Sequence, residues 1–356
     1  MSNGIYVHIP FCLAKCGYCD FNSYAGKNDL IESYVERLLK EIKTKAGAKV
    51  DTVYIGGGTP TILKANLLCE ILNCIFDCYE VESGAEVTVE SNPATADLTK
   101  LKELIKAGAN RLSIGVQSFH DNELKALSRI HNASDAQKAV LTAKEAGFEN
   151  INIDLMYGIP LQTLFSFEET LERAIALDIE HISAYSLIIE ENTPFWYQNI
   201  TVPDEDEERD MHSLAIEKLK ENGFMHYEIS NFAKRGKKSR HNMRYWIREP
   251  YFGFGAGAHS FFGEHRYENV KSIEKYIWAE NPVCSDLEIS QSEAENERFM
   301  LGFRLIDGFE TRGHFADRLE ALKEKGLIFY ENGNAKLTKR GLDLANQVFM
   351  EFVGED

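Results

Sequence analysis

The chain has 356 residues and a formal net charge of −17, which excludes the broad basic surface needed to grip nucleic-acid phosphates. Its seven cysteines are an odd number with three crowded into one loop, which argues against a disulfide framework and for a reducing compartment. No run approaches the ~18 consecutive apolar residues of a membrane span, and the first motif follows Met1 too soon for a cleaved leader, so the expected location is the cytoplasm.

Along the first half, strand-like segments alternate with amphipathic helical ones, the pattern of a parallel sheet wrapped by helices. The strands are expected over Ile5 to Ile9, Thr52 to Ile55, Glu86 to Val89, Arg111 to Val116, Ile151 to Leu155 and His181 to Leu187. The helices between them are expected over Leu30 to Lys45, Ala65 to Tyr79, Leu98 to Ala107, Ser134 to Ala146 and Ser166 to Leu177. Gly47, Gly108 and Gly147 stand where a residue tolerant of left-handed geometry ends a helix. The fold class is α/β: a partial (β/α)6 barrel over residues 1–200, with its chemistry at the carboxyl ends of the strands. A barrel-closing segment is expected over 201–290, with an acidic helix from Asp204 to Asn222 and strands from Tyr227 to Phe232. An α+β unit follows over 291–356, with helices from Glu293 to Leu305, Phe315 to Lys325 and Leu337 to Phe352 and a strand from Leu327 to Tyr330. That unit is winged-helix-like, but its acidic Glu293, Glu295, Glu297, Glu320 and Glu324 suit a structural or partner-docking role and not nucleic acid.

Unusual residues recur just past the strands. After the first comes YVHIPFCLAKCGYCDF, with Cys12, Cys16 and Cys19 spaced C-x3-C-x2-C. Three thiolates can wrap a four-iron cubane and leave one iron open to an exogenous ligand. A zinc site is the alternative, but such sites usually pair two knuckles and no second one follows. After the second strand, GGGTP lets a ligand approach the backbone and exposes amide donors and carbonyl acceptors. Glu90 follows the third strand and Gln117 the fourth, with Arg129 a helix-length further on; Asp154 lies within the fifth. Each alone is a common turn or surface residue, and their recurrence behind successive strands marks one site. Cys69, Cys74 and Cys78 share a helix and read as apolar thiols.

These motifs resemble the radical S-adenosylmethionine family of oxygen-independent, HemN-like coproporphyrinogen III dehydrogenases and heme chaperones, over nearly the whole chain from Ile5. The resemblance implies a 4Fe–4S cluster on Cys12, Cys16 and Cys19, fed by an electron donor. It implies S-adenosylmethionine held by Tyr6, Gly57, Gly58, Thr59, Glu90, Gln117, Arg129 and Asp154. The glycine loop would bond the methionine amino group, Arg129 would grip the carboxylate, and Glu90 and Asp154 would accept from ribose hydroxyls or other cofactor donors. Electron transfer into the sulfonium would then break a carbon–sulfur bond, chemistry that belongs to the cofactor.

Two departures bear on substrate. The dehydrogenases carry C-x3-C-x2-C-x-C, whereas Phe21 stands at the last position here, and they have an amino-terminal extension, whereas here eleven residues precede Cys12. The run HNMRYW, His241 to Trp246, resembles the HNxxYW signature of heme chaperones. It suggests His241 or Tyr245 as ligand to heme iron and Trp246 as a packing face, with Lys237, Lys238 and Arg240 pairing with propionates. From the residues alone the same run reads as a turn cap with aromatic anchors. His8 and His259 compete as ligands; His8 is assigned to the barrel interior and His259 to bracing the glycine-rich GFGAGAHSF. The resemblance implies a heme chaperone that passes heme to an acceptor protein, compatible with a homodimer. The alternatives are decarboxylation of coproporphyrinogen III and radical chemistry on another substrate.

Overall fold

The computed structural model describes residues 2–354. Its first eight strands are β1 (Asn3–Ile9), β2 (Phe11–Cys12), β3 (Tyr24–Ala25), β4 (Lys49–Gly57), β5 (Glu80–Ser91), β6 (Arg111–Gln117), β7 (Ile151–Tyr157) and β8 (His181–Ser186). Strands β1, β4, β5, β6, β7 and β8 lie side by side, all parallel. These are the six expected strands, joined by helices that include Ile31–Ile42, Ala65–Cys78, Leu98–Lys106, Ala133–Ala146 and Leu164–Ala176.

Alternation along each strand sorts the side chains, because successive residues face opposite sides of a sheet. Ile5, Val7, Val53, Ile55, Val87, Val89, Leu112, Ile114, Ile151 and Ile153 join the helices in one apolar core, each contributing about 1.5–3 kcal/mol on burial. The intervening residues are polar, and the register sets Tyr6, Tyr54, Thr88 and Arg111 in one row across β1, β4, β5 and β6. The barrel is therefore apolar outside the sheet and polar within. Helix 133–146 shows the local logic: the Asn132 side chain accepts from the Asp135 N–H at its start, and Gly147 ends it at φ 109°. A short helix, Asp121–Ala126, is too brief to have left a periodic signal.

Residues 201–290 extend the sheet at both edges, where a closure of one side was expected. Strands β9 (Met225–Glu228) and β10 (Asn231–Ala233) add antiparallel beyond β8. Strand β11 (Tyr251–Phe254) adds parallel to β1, followed by the antiparallel β12 (His259–Phe262), β13 (His265–Asn269) and β14 (Val283–Glu288), giving twelve strands. Both edges of a partial barrel present unpaired backbone groups, and the segment covers each.

Beyond it, helices Gln291–Gly302 and Ala316–Glu324 pack with β15 (Phe309–Glu310), β16 (Ile328–Glu331) and β17 (Asn334–Leu337) around Phe299, Phe303, Leu319 and Phe352. The helix expected from Leu337 is instead the end of β17 and two short helices, Lys339–Asp343 and Ala345–Met350. Thr338 caps the first of these by accepting from the Gly341 N–H, which breaks the run. Among the described residues no helix is long and apolar enough to cross a membrane.

The glycine-rich turn after β11 is clamped onto β1 from helix 31–42. Buried Glu41 accepts from the Gly255 N–H (2.9 Å), Asn269 Nδ2 (2.7 Å) and Tyr276 Oη. Tyr34 Oη donates to the His8 carbonyl (2.7 Å) and accepts from the Ala256 N–H (2.9 Å). Glu41→Ala leaves three buried donors unpaired and should lower unfolding stability by about 3 kcal/mol, measured in urea; an unchanged midpoint would contradict this account of the clamp.

Candidate functional site

The cysteine loop leaves the sheet through β2, which pairs with β3 and closes the loop at its base. A Cβ on Gly17 would lie 2.2 Å from the Phe195 ring, and the Phe195 N–H donates to the Gly17 carbonyl at 2.9 Å, so only glycine lets the loop seat there. Cys12 Sγ is 3.7 Å from Thr59 Oγ1, Cys19 Sγ 3.8 Å from Ser23 Oγ, and Cys16 Sγ accepts from Arg129 Nη1 at 3.4 Å. Burial pushes the Cys12 and Cys19 thiols up from their ordinary range. All three cysteines line one cavity of about 160 Å³ together with Gly57, Gly58, Thr59, Glu90, Gln117, Arg129 and Asp154. Tyr6, the eighth expected cofactor residue, faces an adjoining cavity.

The glycine run makes this convergence sterically possible. Gly57 has φ 110°, and its Cβ would fall 2.6 Å from the His8 ring; a Cβ on Gly58 would meet the Phe11 carbonyl at 2.7 Å and Cys12 Sγ at 3.0 Å. The amides expected to be free are committed: Gly57 donates to Glu90 Oε2 (3.1 Å), Gly58 to the Ile9 carbonyl (2.8 Å) and Thr59 to the Phe11 carbonyl (2.8 Å). The loop therefore has carbonyl acceptors to offer, the complement of an amino group.

Glu90 accepts from Tyr54 Oη at 2.6 Å. Burial raises its pKa to about 7, Asp154 adds to the rise, and the hydrogen bonds from Tyr54 and Gly57 oppose it. Asp154, likewise pushed up by burial, accepts from Asn152 Nδ2 (2.8 Å) and Ser113 Oγ (3.5 Å). Arg129 sits in the turn after helix 121–126; its Nη2 donates to the Gly115 carbonyl at 2.6 Å, and its Nε is buried without a partner. A buried guanidinium N–H left unpaired beside three thiols fits an anionic group such as a carboxylate. Gln117 holds φ 69° where the register of β6 against β7 shifts, strain of the kind that collects at functional sites. Tyr18, Tyr54, Arg111, Ser113 and Asn152 were not read from the sequence. The last four lie at even spacings from Gly56, Asp154 and Gly115 on the inward faces of their strands, a signal that period-two counting could have found.

A model of the Radical SAM superfamily matches residues 6–174. Heme chaperone HemW of Bacillus subtilis is 39% identical over 98% of this chain and 99% of its own, and HemW of Escherichia coli 39% identical over 91% and 86%. The chain belongs to the HemW family. Coproporphyrinogen III oxidase HemN of Escherichia coli, a radical SAM enzyme, superposes with TM-score 0.86 over 99% of this chain and 90% of that one at 22% identity, which shows a common fold. The superfamily implies a 4Fe–4S cluster and S-adenosylmethionine, and the donor set around Cys12, Cys16, Cys19 and Arg129 fits both.

The HNMRYW run, His241 to Trp246, lies where the sequence did not suggest. His241 is fully buried in helix Arg240–Trp246, beneath β4. Its Nδ1 shares a hydrogen bond with Thr52 Oγ1 (3.0 Å), its Nε2 with Tyr245 Oη (2.9 Å), and its ring stacks on Tyr54 at 5.3 Å. Burial, then Arg244 and Arg111, lower its pKa to about 3. Both its nitrogens are committed, and His241 lines neither the cysteine cavity nor the one that Tyr6 faces. Trp246 is partly buried and packs under the Arg304 guanidinium at 4.2 Å. Lys237, Lys238 and Arg240 surround a different cavity with Gly84, Asn110 and Asn150, at the amino ends of the strands and opposite the cysteines. Tyr245 does reach the cavity that Tyr6 lines.

That second cavity, about 480 Å³, shares Lys15, Phe21 and Ser23 with the first. His8 supports its wall as expected, with Nδ1 on Tyr6 Oη (2.8 Å) and Nε2 on the Asn22 carbonyl (2.9 Å). His259 opens β12 and lines the cavity, with its backbone packed against Gly253 of the glycine-rich run.

The Glu90 carboxyl holds its proton more tightly folded than unfolded, its ordinary value being 4.5. The stability this contributes is full below the ordinary value and is lost as pH rises through about 7. In the cluster-free protein, urea stability should fall between pH 5 and pH 8 by up to about 3 kcal/mol more than in Glu90→Gln; parallel pH profiles would contradict this.

Proposed function

We propose that this protein binds heme and hands it to an acceptor protein, with a 4Fe–4S cluster and an S-adenosylmethionine site beside the heme. The observation that carries the reading is the likeness, at 39% identity and nearly full length, to a protein named a heme chaperone. Phe21 agrees with it: where the dehydrogenases have a fourth cysteine, this chain has an exposed phenyl ring between the two cavities.

Cys12, Cys16 and Cys19 would hold three irons. Arg129 Nε suits a carboxylate, the Gly57–Thr59 carbonyls an amino group, and Glu90, Asp154 and Gln117 the remaining polar atoms. When bound and reduced, the cluster supplies an electron to the cofactor sulfonium. The protein's part is to hold the cofactor's charged ends and keep water from the buried acids. An electron donor is required, and seven free cysteines suit the reducing cytoplasm. The proposed division is a barrel (1–200), an edge-covering segment (201–290) that shares the barrel's sheet and core, and a carboxyl-terminal unit (291–356) to dock an acceptor; the separate core around Phe299 and Phe352 supports the last of these.

The test is anaerobic: reconstitute the cluster, add S-adenosylmethionine and a reductant, and supply coproporphyrinogen III or heme in separate samples. The proposal expects about one heme per chain by absorbance and no decarboxylated porphyrin by mass spectrometry. Product accumulating over many turnovers would instead establish the dehydrogenase. Arg129→Ala should weaken S-adenosylmethionine binding by on the order of tenfold or more while heme uptake is kept, read by calorimetry and by the Soret band respectively.

A further inference from the structure

Resting on the reading that the protein carries heme, we infer that heme lies in the cavity of about 480 Å³ beside the cysteine loop, with His259 as the ligand to its iron. The volume falls in the range of cofactor sites. Tyr6, Tyr24, Tyr245 and Tyr251 give the walls flat aromatic surface for a macrocycle.

Three imidazoles stand near this region, and hydrogen bonding separates them. His241 is fully buried with both ring nitrogens committed, to Thr52 and to Tyr245. His8 lines the cavity, but both of its nitrogens are committed to Tyr6 and to the Asn22 carbonyl. The His259 side chain is 47% exposed, and its nearest charged partner is Glu268 Oε1, 3.8 Å from Nε2, beyond hydrogen-bond distance. A carboxylate in that position can turn the ring and raise its basicity as it closes on an imidazole N–H, the arrangement common behind metal-bound histidines. Burial lowers the pKa of His259, which keeps the imidazole neutral and able to ligate at neutral pH.

The backbone under His259 is firm. Strand β12 pairs with β13 over His259 to Phe262, and a Cβ on Gly253 would fall 1.8 Å from the His259 carbonyl. Gly253 in GFGAGAHSF thus lets β12 close over β11 and holds the backbone that carries the imidazole. Lys15 and Lys271 line the same cavity as cations for propionates. The motif that resembles a heme signature then acts one layer down: His241 bonds Tyr245, and Tyr245 forms wall.

The test uses the full chain with its cluster reconstituted and oxidised, titrated with ferric hemin and read by resonance Raman and low-temperature electron paramagnetic resonance. Wild type should show a nitrogen-ligated heme. His259→Ala should lose that signature and weaken hemin binding by tenfold or more, with added imidazole restoring the signature. His259→Met should exchange it for that of a sulfur ligand. His259→Ala retaining both the wild-type signature and affinity would overturn the assignment and leave the carrier function standing. Wild type failing to bind hemin would overturn the carrier function, and this site with it.

Discussion

The carboxyl ends of β1 and β4 approach so closely that no side chain fits between them. Gly57 lies against the His8 ring, and Gly58 against Cys12 Sγ and the Phe11 carbonyl. From that contact the rest of the functional end follows. Thr59 comes within reach of Cys12, the Gly57 amide holds the Glu90 carboxylate, and the cysteine loop closes over the ends of β5, β6 and β7. A larger residue at either glycine would push the cysteine loop off the sheet and separate the thiols from the carboxylates.

Electrostatics inside the barrel complement this geometry. Glu90 and Asp154 are both shifted toward their neutral forms by burial, with the buried Arg111 guanidinium as a counter-charge deeper in the row. A cationic ligand entering such a site favours ionisation of the acids and gains their attraction in return. In the same cavity Arg129 has a donor to spare, so a zwitterionic ligand meets charges opposite to both of its own.

Much of this was legible in the sequence because a parallel sheet places every strand's carboxyl end on one side. The order cysteine loop, GGGTP, Glu90, Gln117 and Asp154 therefore maps directly onto one cavity. Tyr6 departs: in register with Tyr54 and Gly253, it lines the adjoining cavity. What the sequence did not disclose is burial of polar residues. HNMRYW has the composition of a ligand set, yet Ser239 caps its helix and Glu86 accepts its first two amides (3.1 and 3.0 Å), drawing His241 under the barrel. Strand β11 pairs with β1 across most of the chain, Tyr251 against Gly4, which no local pattern encodes.

The central claim is that the cluster loop and the porphyrin cavity share a wall through Lys15, Phe21 and Ser23. Manganese protoporphyrin remains paramagnetic under reduction, so it can replace heme while the cluster is reduced to its own paramagnetic state. The most direct measurement is the electron spin relaxation of the reduced cluster with and without this porphyrin bound. Strongly accelerated relaxation on porphyrin binding is the predicted result. Relaxation unchanged by a stoichiometrically bound porphyrin would put the macrocycle elsewhere and contradict the shared wall.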